Sequence, residues 1–348
     1  MLNKVGSAAF AACFLMSASN QPAQAHSAPA SSEASQYRVV EKIAAADGGW
    51  DFAAIEPLTG MLYIARSDAV TAINLTSREV VNHLASAGRG HQVLVLDQGA
   101  TLFETDGETG LGRFLSASDG SVLAEIPTGK KPDAAFFDPK TGLIAVMNAD
   151  DGTVALIDPT TRQVIEKIAV GGGLEFAVPD GMGSAYVNIE DANTIVKIDL
   201  VARRKTGTID LTGCEGPTGL ALVAGGTRLI SACANETAVV VDTAQKTVVA
   251  HFAIGKDPDA VLVDETRGRA FIPCGGSGTL VEIAIGNPEA IRPISSIPTQ
   301  IGAKTGAIDP RDGRIYLPTA TLLPPEPGAK RGKPAPGSFV VLVIAPHA

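Results

Sequence analysis

Five residues able to hold charge or ligate an ion, Asp51, His91, Asp133, Glu175 and Asp259, recur at intervals of roughly 40 residues. Four carboxylates and one imidazole drawn into a ring would raise one another's pKa or recruit a cation. An oxygen-rich ring with one histidine suits Ca²⁺, Mg²⁺ or Mn²⁺, and a subset of His91, Asp133 and Glu175 suits Zn²⁺. Asp133 and Asp259 share a local motif in which an Asp opening a strand caps the preceding turn. His91 and Glu175 depart from that motif and are the sharper candidates. Whether these groups meet depends on the elements that carry them.

Those elements are clearest between Lys131 and Gly171. Short apolar runs, Ala134–Phe137, Leu143–Met147, Thr153–Ile157 and Val164–Val170, alternate with Asp-Pro, Thr-Gly and Asp-Asp-Gly punctuation. Each run is too short for a helix, and the breaks fall at turn spacing. The unit is a four-stranded antiparallel meander. It returns at Pro217 and Pro258, and Asp158, Asp199 and Asp242 close the third strand of three successive copies. A four-strand repeat of about 40–45 residues is the period of a propeller blade. One blade cannot bury both faces of its sheet, so the copies must pack around a common axis.

Composition agrees. The 348 residues include 37 Gly and 22 Pro with only 5% aromatics, as a turn-rich all-β chain requires. The formal charge of −9 excludes a basic nucleic-acid-binding stripe. No Lys/Arg cluster marks a lipid-facing patch.

Residues 1–25 read as a secretory signal: Lys4, the apolar run Val5–Met16, and the small-residue site Ala23-Gln24-Ala25. The run is too short to span a bilayer, so no stable membrane insertion is expected. Cys13 offers a lipoprotein alternative, disfavoured because Phe10 stands three residues before it. Cleavage near Ala25 implies a periplasmic or secreted protein, and residues 26–36 form an Ala/Ser/Pro-rich disordered leader.

Residues 37–348 then form a single propeller domain. Seven blades are read over Asp51–Ala85, His91–Ile126, Pro132–Val170, Leu174–Leu211, Pro217–Ile254, Pro258–Thr299 and Lys304–Ile344, with an insertion in the sixth around Gly286–Pro298. The seventh ends at its third strand. The lone strand Tyr37–Ala45 resembles the outer strand at Val164–Ala169 and completes that blade, closing the ring without a free edge. A Pro-rich loop, residues 322–337, carries three basic residues and reads as a tolerated insertion or a docking segment.

In such a ring the innermost strands start at one rim of the central channel and the second strands end there. Asp51, His91, Asp133, Glu175, Thr218, Asp259 and Thr305 therefore face one another, with Asn148 and Asn188 among the second-strand ends. Tyr186-Val187-Asn188, Tyr63-Ile64, Ile315-Tyr316-Leu317-Pro318 and the G-x-x-P-D-A starts at Gly129–Ala134 and Gly255–Ala260 resemble the YVTN-type repeat. Over essentially the whole mature chain the pattern is similar to the exported YncE-like seven-bladed propellers. That resemblance implies a fold and leaves the chemistry open. A WD-repeat pattern is absent, since Trp50 is the only tryptophan.

Three cysteines follow the signal. Cys214 precedes the first strand of the fifth blade and Cys233 ends its second, so a disulfide between them is geometrically reasonable and suits an oxidising compartment. Cys274 is left over, either an inert buried thiol or a reactive or metal-binding one. No G-x-S-x-G elbow, phosphate loop, haem site or HExxH motif occurs. The reading that follows is a scaffold binding a protein or small ligand at the acidic mouth. A metal-dependent hydrolase or lactonase with His91 as acid–base group is the alternative. A redox-cofactor propeller has only Trp50 and His91 to offer.

Overall fold

The computed structural model describes residues 1–2, 37–325 and 332–346. Of the segments read from the sequence as signal and leader, residues 3–36 lie outside the described residues, as does the centre of the Pro-rich loop, residues 326–331. The rest folds as seven four-stranded antiparallel sheets, numbered here as blades 1–7 by their innermost strands. Blade 1 runs from Trp50 to Ser86, blade 2 from Gly90 to Pro127, blade 3 from Pro132 to Ala169 and blade 4 from Leu174 to Asp210. Blade 5 spans Pro217 to Ala253 and blade 6 spans Leu262 to Pro298. Blade 7 takes Ala307–Ile308, Ile315–Thr319 and Val340–Pro346 from the end of the chain and Tyr37–Ala44 from its beginning. The terminal strand thus closes the ring as the outer strand of the last blade.

Turn chemistry explains the regularity. Where the third strand turns into the outer one, Asn74, Asp158, Asp199 and Asp242 accept hydrogen bonds from the amides two and three residues ahead, at 2.7–3.3 Å. The next residue in each turn, Arg78, Arg162, Arg203 or Lys246, has φ between +54° and +65°. The side-chain oxygen stands in for a backbone acceptor and makes this left-handed step tolerable without glycine. The sixth blade differs from the sequence reading. Arg292–Pro298 is its outer strand, so the extra residues shrink to a longer turn before it.

Between each pair of neighbouring blades lies one apolar cluster, seven for seven interfaces. Val, Ile, Leu and Ala dominate them, as period-2 strands with both faces buried require. Cys214 and Cys233 are joined, with their Cα atoms 5.4 Å apart and a sequence separation of 19. Closing a loop of that length removes about 3 kcal/mol of unfolded-chain entropy. Cys274 is free and buried; burial pushes its thiol up to about 11, which makes it inert at neutral pH. Among the described residues no helix is long and apolar enough to cross a membrane.

Candidate functional site

The mouth is built by one repeated irregularity. The innermost strands of blades 1–5 each lose register after their first residue: Trp50, Gly90, Pro132, Leu174 and Pro217. Pairing resumes three residues later. In blade 6 Pro258 makes an isolated bridge with Cys274, and the strand resumes at Leu262. Asp51, His91, Asp133, Glu175, Thr218 and Asp259 all fall inside this break. A bulge of this kind frees a side chain from the ladder and re-aims it. The common position explains why residues so far apart in sequence gather at one rim.

His91 is the centre of the tightest group. Its Nδ1 lies 2.7 Å from Asp51 Oδ2 and 3.6 Å from Asp133 Oδ1. One ligating atom each from Asp51, His91 and Asp133 falls within 4.8 Å of the others. Among the described residues Glu175 does not join them, so Asp51 takes the place that the sequence assigned to it. The ring is 7% exposed, and its Nε2 has no hydrogen-bond partner among the described residues. Gly107 makes room for it, because a Cβ there would sit 2.7 Å from Cδ2 and Nε2. Burial opposes charge on the imidazole, but the Asp51 hydrogen bond and the Asp133 charge outweigh it and raise its pKa.

Lys304 was not anticipated. Its ammonium pairs with Asp259 and lies 3.8 Å from Asp51 Oδ1. Burial pushes Asp51 towards the neutral form, yet Lys304 and His91 together hold its pKa below the ordinary value. Asp133 is shifted the other way: burial raises it, tempered by His91 and by Lys131 at 4.0 Å. Glu175 is pushed up to about 9 by burial, then by the charges of Asp133, Asp259 and Glu190. At neutral pH it carries a proton.

Asn148 and Asn188 are fully buried and hold the blades together. Asn148 Nδ2 donates to Thr128 O and Thr153 Oγ1; Asn188 Nδ2 donates to Thr218 O at 2.9 Å and Gly219 O at 3.2 Å. Thr105 donates to Asp133 O, Thr218 to Pro258 O and Thr305 to Asp51 O, at 2.7–2.9 Å. These bonds tie the mouth segments of blades 1, 3, 5 and 6 to their neighbours, and two of them hold the backbone of Asp51 and Asp133.

Two cavities open here. One, of about 550 Å³, is lined by Glu175, Glu190, Asp257, Asp259, Thr218 and Lys304, with Ala234 and Pro258. The other, of about 440 Å³, lies between blades 6 and 7 beneath the ends of the Pro-rich loop. Phe52 and Phe176, the residues after Asp51 and Glu175, meet across the axis with ring centroids 5.0 Å apart.

No protein-family model matches the chain, and no curated protein does. Solved structures do. A chain of Kuenenia stuttgartiensis hydrazine synthase superposes with a TM-score of 0.68 at 14% identity, covering 78% of this chain and 92% of that one. A chain of a mitotic checkpoint complex gives 0.70 at 12% identity, covering 90% and 96%. U3-55K gives 0.68 at 10% identity, covering 88% and 98%. At these identities the likeness is one of fold alone. The chain is a seven-bladed β-propeller.

Proposed function

We propose that the protein is an exported member of the YVTN-type propellers, acting as a binding scaffold that takes a cationic ligand at its acidic channel mouth. One observation carries this reading. With Glu175 protonated, the 550 Å³ cavity presents three ionised carboxylates, Glu190, Asp257 and Asp259, against a single ammonium, Lys304, among the described residues lining it. A concave site with an excess of one charge focuses ligands of the other sign. The disulfide fits an oxidising compartment. Calorimetric titration with spermidine, and with butyrate as the anionic control, tests the site. Spermidine should bind once per chain and weaken at least tenfold between about 10 and 150 mM salt. Asp257→Asn/Glu190→Gln removes two charges from exposed positions and should cost a further tenfold. Equal binding of spermidine and butyrate, or a variant indistinguishable from wild type, would overturn the reading.

The convergence of Asp51, His91 and Asp133 supports a second reading, a divalent ion at those three ligands serving as Lewis acid for a lactone or phosphoester. The Lys304 ammonium and the His91–Asp51 bond already balance that group, which favours the scaffold. Elemental analysis of the purified protein, with melting before and after chelation, separates the two. The metal reading requires one ion per chain, lost in His91→Ala, whose removal lowers Tm. A metal-free chain with an unchanged melt leaves the scaffold.

A further inference from the structure

The second cavity is of a different character. Trp50, Ile301, Leu322, Leu323, Pro325 and Pro334 supply its apolar wall, and Gly275, Gly276 and Gly302 line it as well. A Cβ at Gly302 would stand 3.3 Å from Trp50 Cζ2, so glycine there leaves the indole uncovered. The ends of the Pro-rich loop are held in place: Leu322 bridges Pro334, and the Leu323 amide donates to Lys333 O at 2.9 Å. Trp50 Nε1 is buried without a hydrogen-bond partner among the described residues. A volume of about 440 Å³ with mostly apolar walls and a few polar groups is the form of a small-molecule site.

This cavity adjoins the acidic mouth at three places. Asp257 and Lys304 line both. Trp50, on the apolar wall, is followed directly by Asp51 at the mouth. Ile301 and Gly302 lead into Lys304, whose ammonium pairs with Asp259 and faces Asp51. Apolar and acidic surfaces therefore meet along one line. A ligand spanning that line would carry an apolar body and a cationic end.

We propose that the two cavities together form one site for an amphiphilic amine, its apolar or aromatic body against Trp50 and Ile301 and its ammonium among Glu190, Asp257 and Asp259. This rests on the cationic-ligand reading above and adds the apolar half. Charge complementarity sets the orientation, since Lys304 is already paired within the mouth and the other ionised groups lining it, Glu190, Asp257 and Asp259, are acidic. Trp50, as the only tryptophan, reports occupancy directly.

Titration with 4-phenylbutylamine, n-butylamine and 4-phenylbutanol tests it, read by calorimetry and by Trp50 emission. The phenyl group should tighten amine binding about tenfold or more, a gain typical of filling a hydrophobic pocket. The emission shift should saturate at the calorimetric midpoint. The neutral alcohol should bind at least about tenfold more weakly than the aryl amine. Ile301→Asn/Leu323→Asn changes two exposed residues of the wall, so the fold is not at risk. It should cut the phenyl gain below about threefold and leave butylamine unchanged. A phenyl gain absent in wild type, one that survives the double substitution, or equal binding of alcohol and amine would overturn the inference. If butylamine and spermidine still bind at the mouth in that case, the scaffold reading stands alone. If neither binds, both fall.

Discussion

Deleting residues 37–45 abolishes cooperative folding. This strand pairs antiparallel with Val340–Pro346 over its whole length, from Tyr37 opposite Pro346 to Ala44 opposite Val340. Its side chains serve two interfaces. Tyr37 packs edge-on against Phe271 of blade 6, at 4.8 Å between centroids. Ile43 joins the cluster between blades 7 and 1. Without the strand, the ladder of Val340–Pro346 is bare and both clusters open to water. The cost exceeds about 5 kcal/mol, which is comparable to the whole stability of a domain. Circular dichroism melting of the truncated chain should show no cooperative transition, with the protein in the insoluble fraction because an exposed edge invites pairing. Ile43→Ala gives a milder test, a loss of about 2–5 kcal/mol. A truncated chain melting within about 5 °C of the full one would refute the closure argument.

The second large effect is at Glu175. Its pKa, pushed up to about 9, lies above that of the unfolded chain, so the folded state keeps a proton that the unfolded state has lost. Stability is therefore full below the ordinary glutamate range. It falls as pH climbs towards about 9 and changes no further beyond that. Asp133, Asp259 and Glu190 raise the pKa and Lys131 lowers it; Asp257 and Lys304 share the same cavity. Glu175→Gln mimics the protonated side chain. Denaturant titration should show the variant equal to wild type near pH 4 and more stable at pH 9, by on the order of 3 kcal/mol. His91 and Asp133 titrate in both proteins, so the difference isolates Glu175. Equal stability at pH 9 would refute the assignment.

The repeat was legible because its punctuation is chemical. Asp158, Asp199 and Asp242 cap equivalent turns, and the residue types that can do so are few. The mouth was legible for a related reason: Asp51, His91, Asp133, Glu175 and Asp259 occupy one bulge position in successive copies. Asn148 and Asn188 show where such reasoning ends. Both faces of a blade pack against its neighbours, so a residue at the end of a second strand can turn its side chain into the interior and not the channel, as these two do. Lys304 was hidden because its partners, Asp51 and Asp259, are distant in sequence and come together only when the ring closes. The apolar cavity was hidden likewise. Trp50 at one end of the chain and Leu322 at the other form a single wall that no local pattern announces.

The contact of Phe52 with Phe176 has a consequence for traffic. Blades 1 and 4 are not neighbours, so two aromatic rings touching across the axis narrow the passage directly behind Asp51 and Glu175. A ligand at Glu175 then has its widest exit at the acidic rim. A protein seated on that rim would slow the ligand's departure, so release would depend on the partner's residence time as well as on the small molecule's own affinity.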